Sequence, residues 1–66
     1  MKREYALASC YGEILLDNTF ETAKGRYQII IRKFNSNIYF FKYRDGKLLE
    51  CQNLNIAKPK EVSTNG

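Results

Sequence analysis

Sixty-six residues, 44% of them hydrophobic and including five Tyr and four Phe, suffice for one small folded domain and no more. The formal net charge of +4 is a mild cationic excess. It rules out an acidic mimic of nucleic acid, and it falls short of the dense Lys/Arg block of a nucleic-acid-binding tail. With no histidine, the chain lacks the usual general base, the commonest metal ligand and the orienting member of most catalytic triads.

In chain order, residues 1–3 are expected to fray. Residues 4–11 alternate weakly, with Tyr5, Leu7 and Ser9 on one side and Ala6, Ala8 and Cys10 on the other, and read as a strand. The rival is a helix over residues 4–16. Ala6 and Ala8 favour it, and Leu7, Tyr11, Ile14 and Leu15 fall at helical spacing. Gly12 would weaken that helix by about 1 kcal/mol relative to Ala, and no good N-cap residue precedes it. The strand reading bends at Gly12 and resumes over residues 14–16. Asp17-Asn18-Thr19 has turn chemistry, residues 20–23 form a short extended piece, and Lys24-Gly25 makes the next turn.

Residues 26–51 are β-branched and aromatic, broken only by Asn, Ser, Asp and Gly, and predict three antiparallel strands. Taking Asn35-Ser36-Asn37 and Arg44-Asp45-Gly46 as three-residue loops pairs Phe34 with Ile38, Ile31 with Phe41, and Phe41 with Leu49. One face then carries Tyr27, Ile29, Ile31, Tyr39, Phe41, Tyr43, Leu49 and Cys51, and is assigned to the core. The other mixes Arg26, Gln28, Arg32, Lys42 and Glu50 with Ile30, Phe34, Ile38, Phe40 and Leu48. A two-residue type I′ loop at Asp45-Gly46 is the competing register, ranked lower because it would set Glu50 beside Phe41. Leu54 and Ile56 either extend the last strand or pack across the sheet edge.

The expected fold is all-β: a small antiparallel meander closing into a barrel-like or strongly bent sheet, which would remove exposed edges. The alternative is α+β, an N-terminal helix on a curved sheet. Residues 1–56 form the single domain, and residues 57–66, with Pro59 and little apolar content, read as a flexible tail.

No apolar run approaches a membrane-spanning length and no secretory signal pattern stands at the start, so the expected location is cytoplasmic, with Cys10 and Cys51 as free thiols. A disulfide between them is the lesser alternative. Two cysteines without histidine make no ordinary zinc site in one chain, and neither cysteine has its usual activator as a nucleophile. Gly12, Gly25 and Gly46 are isolated turn glycines, not a phosphate-binding loop. No cofactor is expected, and no enzymatic activity.

The expected function is that of a small interaction protein that regulates or inhibits a larger protein or nucleoprotein complex. Richness in Lys, Ile, Asn, Tyr and Phe is what AT-rich genomes produce. In that flavour the chain is similar to phage or mobile-element products, some of which inhibit host defence systems. The alternative is a small basic β-barrel that binds single-stranded DNA or RNA by stacking and phosphate contacts. Either way the expected binding surface is the mixed face, with Arg26, Arg32, Phe34, Phe40, Lys42 and Arg44, and charge reversal at Arg32 and Lys42 is expected to abolish binding. A homodimer through Leu54 and Ile56 is the third reading.

Overall fold

Two tight turns set the register of the sheet. Asn35 and Ser36 have φ of 51° and 66°, and Asp45 and Gly46 have 49° and 85°. Both pairs are therefore two-residue turns of the I′ kind, whose twist matches that of the strands they join. The computed structural model describes residues 2–57. Along the chain these form α1 (Arg3–Tyr11), β1 (Glu13–Thr22), β2 (Gly25–Phe34), β3 (Asn37–Arg44), β4 (Lys47–Asn53) and a single helical turn, α2 (Leu54–Ala57).

The architecture is one antiparallel meander in the order β1-β2-β3-β4, with α1 packed on β2 and β3. It is mostly β with one short helix against the sheet, as in the α+β alternative. It corrects three expectations. The sheet stays open, because β1 and β4 are its two edges and do not pair. Residues 3–11 are helical, not extended. The segment Asp17-Asn18-Thr19 makes no turn but runs through the middle of a ten-residue strand paired with an equally long β2. The tail expected over residues 57–66 lies outside the described residues except for Ala57, which closes α2. No helix among the described residues is long and apolar enough to cross a membrane.

The first turn also corrects the pairing of β2 with β3. Phe34 pairs with Asn37, Arg32 with Tyr39 and Ile30 with Phe41, one residue away from the three-residue register. A slip of one residue exchanges the faces of a whole strand. Ile30, Arg32 and Phe34 therefore join Tyr39, Phe41 and Tyr43 on the first face, and Tyr27, Ile29 and Ile31 move to the second. At the second turn Arg44 pairs with Lys47 and Tyr43 with Leu48. A bulge then expels Leu49, so that Lys42 meets Glu50 and Phe41 meets Cys51. The bulge is what makes the type I′ turn acceptable: without that extra residue Glu50 would stand against the core phenylalanine.

The core lies between α1 and the first face. Ala8, Ile30, Tyr39 and Phe41 are buried, and Tyr5, Phe34, Tyr43, Leu48 and Cys51 pack around them. Tyr5 meets Tyr39 edge-on at 5.5 Å between ring centroids, a favoured aromatic geometry. Ala8 is fully buried, its small side chain set in the core cluster with Ile30, Tyr39 and Phe41. The helix stops at Gly12, whose N–H donates to the Ala8 carbonyl at 2.9 Å. A Cβ at Gly12 would lie 2.6 Å from that same oxygen and 3.2 Å from Cβ of Arg32, so the turn out of the helix needs glycine.

Polar bonds complete the docking. Tyr39 Oη donates to Glu4 Oε2 at 3.0 Å and Asn53 Nδ2 to the same oxygen at 3.2 Å, which ties the first turn of α1 to β3 and β4. Burial, reinforced by the Glu4 carboxylate, raises the Tyr39 phenol above its ordinary pKa. At the far end of the sheet, Asp45 grips Arg26. Its N–H donates to the Arg26 carbonyl at 2.8 Å, and its Oδ1 accepts from the Arg26 N–H at 3.0 Å.

Candidate binding surface

The register decides where each residue expected at the binding surface lies, and it separates them. Arg26, Arg32 and Phe34 belong to the first face, with α1; Phe40, Lys42 and Arg44 belong to the second. Arg32 is engaged: its Nε donates to the carbonyl of Gly12 at 3.2 Å, a cation at the C-terminal end of α1 where it offsets the exposed carbonyls of the last turn. Phe34 packs against the core. Arg26 forms the one ion pair among the described residues, Nε to Glu21 Oε2 at 2.8 Å, and that carboxylate raises the guanidinium pKa further above its already high value.

The second face joins Tyr27, Ile29 and Ile31, which the three-residue register assigns to the core, to Phe40 and Lys42 of the mixed face and to Leu16 and Phe20 of β1. Leu16 stands beside Ile31, Ile31 beside Phe40, Phe20 beside Tyr27, and Ile29 beside Lys42. These side chains half-cover one another in the rows of the sheet, while Leu16 and Phe20, toward the β1 edge, are exposed. Phe20 and Tyr27 stack almost parallel, with ring centroids 5.9 Å apart and planes at 11°. Lys42 is paired in register with Glu50, yet its Nζ lies 5.5 Å from the centroid of the Tyr27 ring, a cation–π contact reached diagonally across the sheet. A groove of about 450 Å³ opens here, lined by Phe20, Thr22, Ala23, Lys24, Tyr27 and Lys42. Its walls hold two aromatic rings and two ammonium groups, and no carboxylate. Sequence reasoning missed Leu16, Phe20, Tyr27, Ile29 and Ile31 as surface residues; a two-residue turn at Asn35-Ser36 would have found the three on β2, but Ser at positive φ gives it no local signal.

Cys10 and Cys51 are free, Cys10 exposed on α1 and Cys51 half-buried against the core. Leu54 and Ile56 sit in the helical turn α2, not on an extension of β4. That turn packs beside β3, where Asn55 Oδ1 accepts from the Ile38 N–H at 2.7 Å. No three metal-ligating side chains lie together among the described residues. No protein-family model, curated protein or solved structure matches this chain.

Proposed function

We propose that this is a non-enzymatic binding protein that docks on a larger protein or complex and regulates or inhibits it, using the second face of the sheet. One observation carries the reading. The helix covers one face, while the other presents Leu16, Phe20, Tyr27, Ile29, Ile31 and Phe40 as one apolar field edged by Lys33, Lys42 and Arg44. An apolar field with aromatic anchors and a polar rim is the anatomy of a protein interface. Inhibition of a host defence complex by a phage- or mobile-element-encoded protein is one role of this kind, and it rests on composition alone.

Single-stranded nucleic acid is the second reading, favoured by the Phe20–Tyr27 stack with Lys24 and Lys42 around it. The aliphatic share of the face weighs against it, since Leu16, Ile29, Ile31 and Ile38 offer nothing to phosphate. The cations are also diluted: Lys33 stands opposite Glu13 and Lys42 opposite Glu50.

The test is capture of partners from the host by the immobilised protein, beside titration of labelled single-stranded DNA, duplex DNA and RNA at low and physiological salt. A protein captured by the wild type and lost by Ile29→Ser/Lys42→Glu, with the circular dichroism spectrum unchanged, supports the reading. Nucleic-acid binding that falls steeply with salt, with no protein captured, replaces it by the second.

A further inference from the structure

We infer that the outer edge of β1 is a second docking site, which adds an extended, lysine- or arginine-bearing segment of the partner as a fifth strand. The inference rests on the protein-binding reading above and goes further by naming the mode of contact and the chemistry of the segment.

All ten residues of β1 are exposed. The strand pairs on one side with β2, and among the described residues nothing pairs with its other side, whose backbone N–H and C=O groups form a ready template for another strand. Among the described residues the helices pack mainly on β2 and β3, and every residue of β1 stays exposed. Apolar groups are stranded there: Ile14, Leu15, Leu16 and Phe20 are each between 43% and 50% exposed, and Tyr11, just before the strand, is 75% exposed. Natural edges are guarded by lysine, proline or shortness. β1 has neither lysine nor proline, and its only irregularity is the bulge at Leu15, which leaves Leu16 to Thr22 in unbroken register with β2.

Charge selects the occupant. β1 carries Glu13, Asp17 and Glu21 and no cation, in a chain whose net charge is +4. A two-fold antiparallel pairing of β1 with a second copy would bring Asp17 and Glu21 of both strands onto one face of the seam, four carboxylates of which only Glu21 has a cation beside it, Arg26 of β2, and like charges across strands are destabilising. An extended segment with Lys or Arg on alternate residues would set cations beside Asp17 and Glu21, which share the first face, and its intervening apolar side chains would cover Leu16 and Phe20 on the second.

The test uses three synthetic peptides of β1's own ten-residue length. One alternates lysine with valine and threonine, one carries glutamate in place of the lysines, and one is the lysine peptide N-methylated at alternate amides so that it cannot form a ladder. Binding is read by fluorescence anisotropy and by hydrogen exchange of the β1 amides. The expected result is that only the unmethylated lysine peptide binds and slows β1 exchange. In the double variant Asp17→Asn/Glu21→Gln its affinity should fall several-fold, the sum of two exposed cross-strand charge pairs. Equal binding of the glutamate peptide, binding without β1 protection, or no binding overturns the inference. So does protection of the outward amides in the free protein, with sedimentation then assigning the occupant as a second copy (dimer) or as this chain's own residues 58–66 (monomer). Ile29→Ser/Lys42→Glu should bind the lysine peptide like wild type, so failure of the second face and failure of the edge are read separately.

Discussion

The Tyr39 hydroxyl donates to the same Glu4 oxygen that accepts from Asn53, so one carboxylate at the start of the helix fastens two neighbouring strands. Tyr39 is 2% exposed, and its bond to Glu4 exists only while the phenol keeps its proton.

The phenol pKa is raised in the folded state, so the folded protein holds this proton at pH values where the unfolded chain has lost it. The contribution is complete below the ordinary tyrosine value of about 10 and is lost as pH rises through the higher folded value. Urea denaturation between neutral pH and pH ~11 should show stability falling above about pH 10, and Tyr39→Phe should flatten that fall. An equally steep fall in Tyr39→Phe would assign the alkaline loss to other groups.

Ala8 is fully buried in the core between helix and sheet. Ala8→Leu adds methylene volume where none fits, and should cost about 1–3 kcal/mol in urea denaturation. Ala8→Gly should also destabilise, by about 1 kcal/mol, through helix propensity. A stabilising Ala8→Leu would mean that the helix can ride outward without loss.

Gly25 has φ of +139°, and a Cβ there would lie 2.7 Å from Oδ2 of Asp45. Gly25→Ala should therefore lower stability by about 1–3 kcal/mol from backbone strain alone, with more from displacing the Asp45 clasp on Arg26. Thermal unfolding of Gly25→Ala, Asp45→Ala and the double variant checks this. The two losses should be less than additive, because both break the same contact.

Arg32 and Lys42, which sequence reading placed on one surface, should separate by experiment. Arg32→Glu puts an anion at the carbonyl end of α1 and loses the bond to Gly12, and should cost about 1–3 kcal/mol of stability. Lys42→Glu removes a contact of about 0.5–1 kcal/mol and sets a like charge opposite Glu50, and should still spare the fold while weakening partner capture. Loss of partner with full stability in Arg32→Glu would place the docking surface on the helix side instead.

Much of the fold was legible in the residues, and the errors have local causes. Strands β2, β3 and β4 were plain from their β-branched and aromatic runs. Tyr39 and Phe41 were rightly placed in the core because β3 alternates cleanly. The error at Asn35-Ser36-Asn37 was a choice between two adjacent turn-formers, and one residue of slip carried Tyr27, Ile29 and Ile31 across the sheet. At Asp45-Gly46 the two-residue turn ranks lower on sequence because it sets Glu50 beside Phe41, and no local signal marks Leu49 as the residue whose bulge removes that clash. The polar run Asp17-Asn18-Thr19 looks like a turn by propensity. It is held extended by nine paired positions with β2 and by Gln28, whose Nε2 donates to Asp17 at 2.9 Å, and on a bare edge it buries nothing polar. The helix lacks a capping side chain and a clear apolar stripe. It is stabilised by Ala8, Tyr5 and the Glu4 bonds, all contacts made with distant strands. The six residues expected at the binding surface were divided by that same single slip.

The anchoring of α1 has a consequence for the order of assembly during synthesis. The helix leaves the ribosome before the strands, but the groups that hold it lie far ahead: Tyr39 is 35 positions beyond Glu4, and Asn53 is 49. Alone, a nine-residue helix without a capping side chain is too short to persist in water. The hairpins, by contrast, close over two-residue turns and can zip as soon as each strand emerges. Translation therefore presents a bare meander, with both faces and both edges open, until β4 is out and the helix can fold back. During that interval Phe41 and Ile30 are uncovered as well as the second face, so slow translation near β4 should raise aggregation more than the same pause placed earlier.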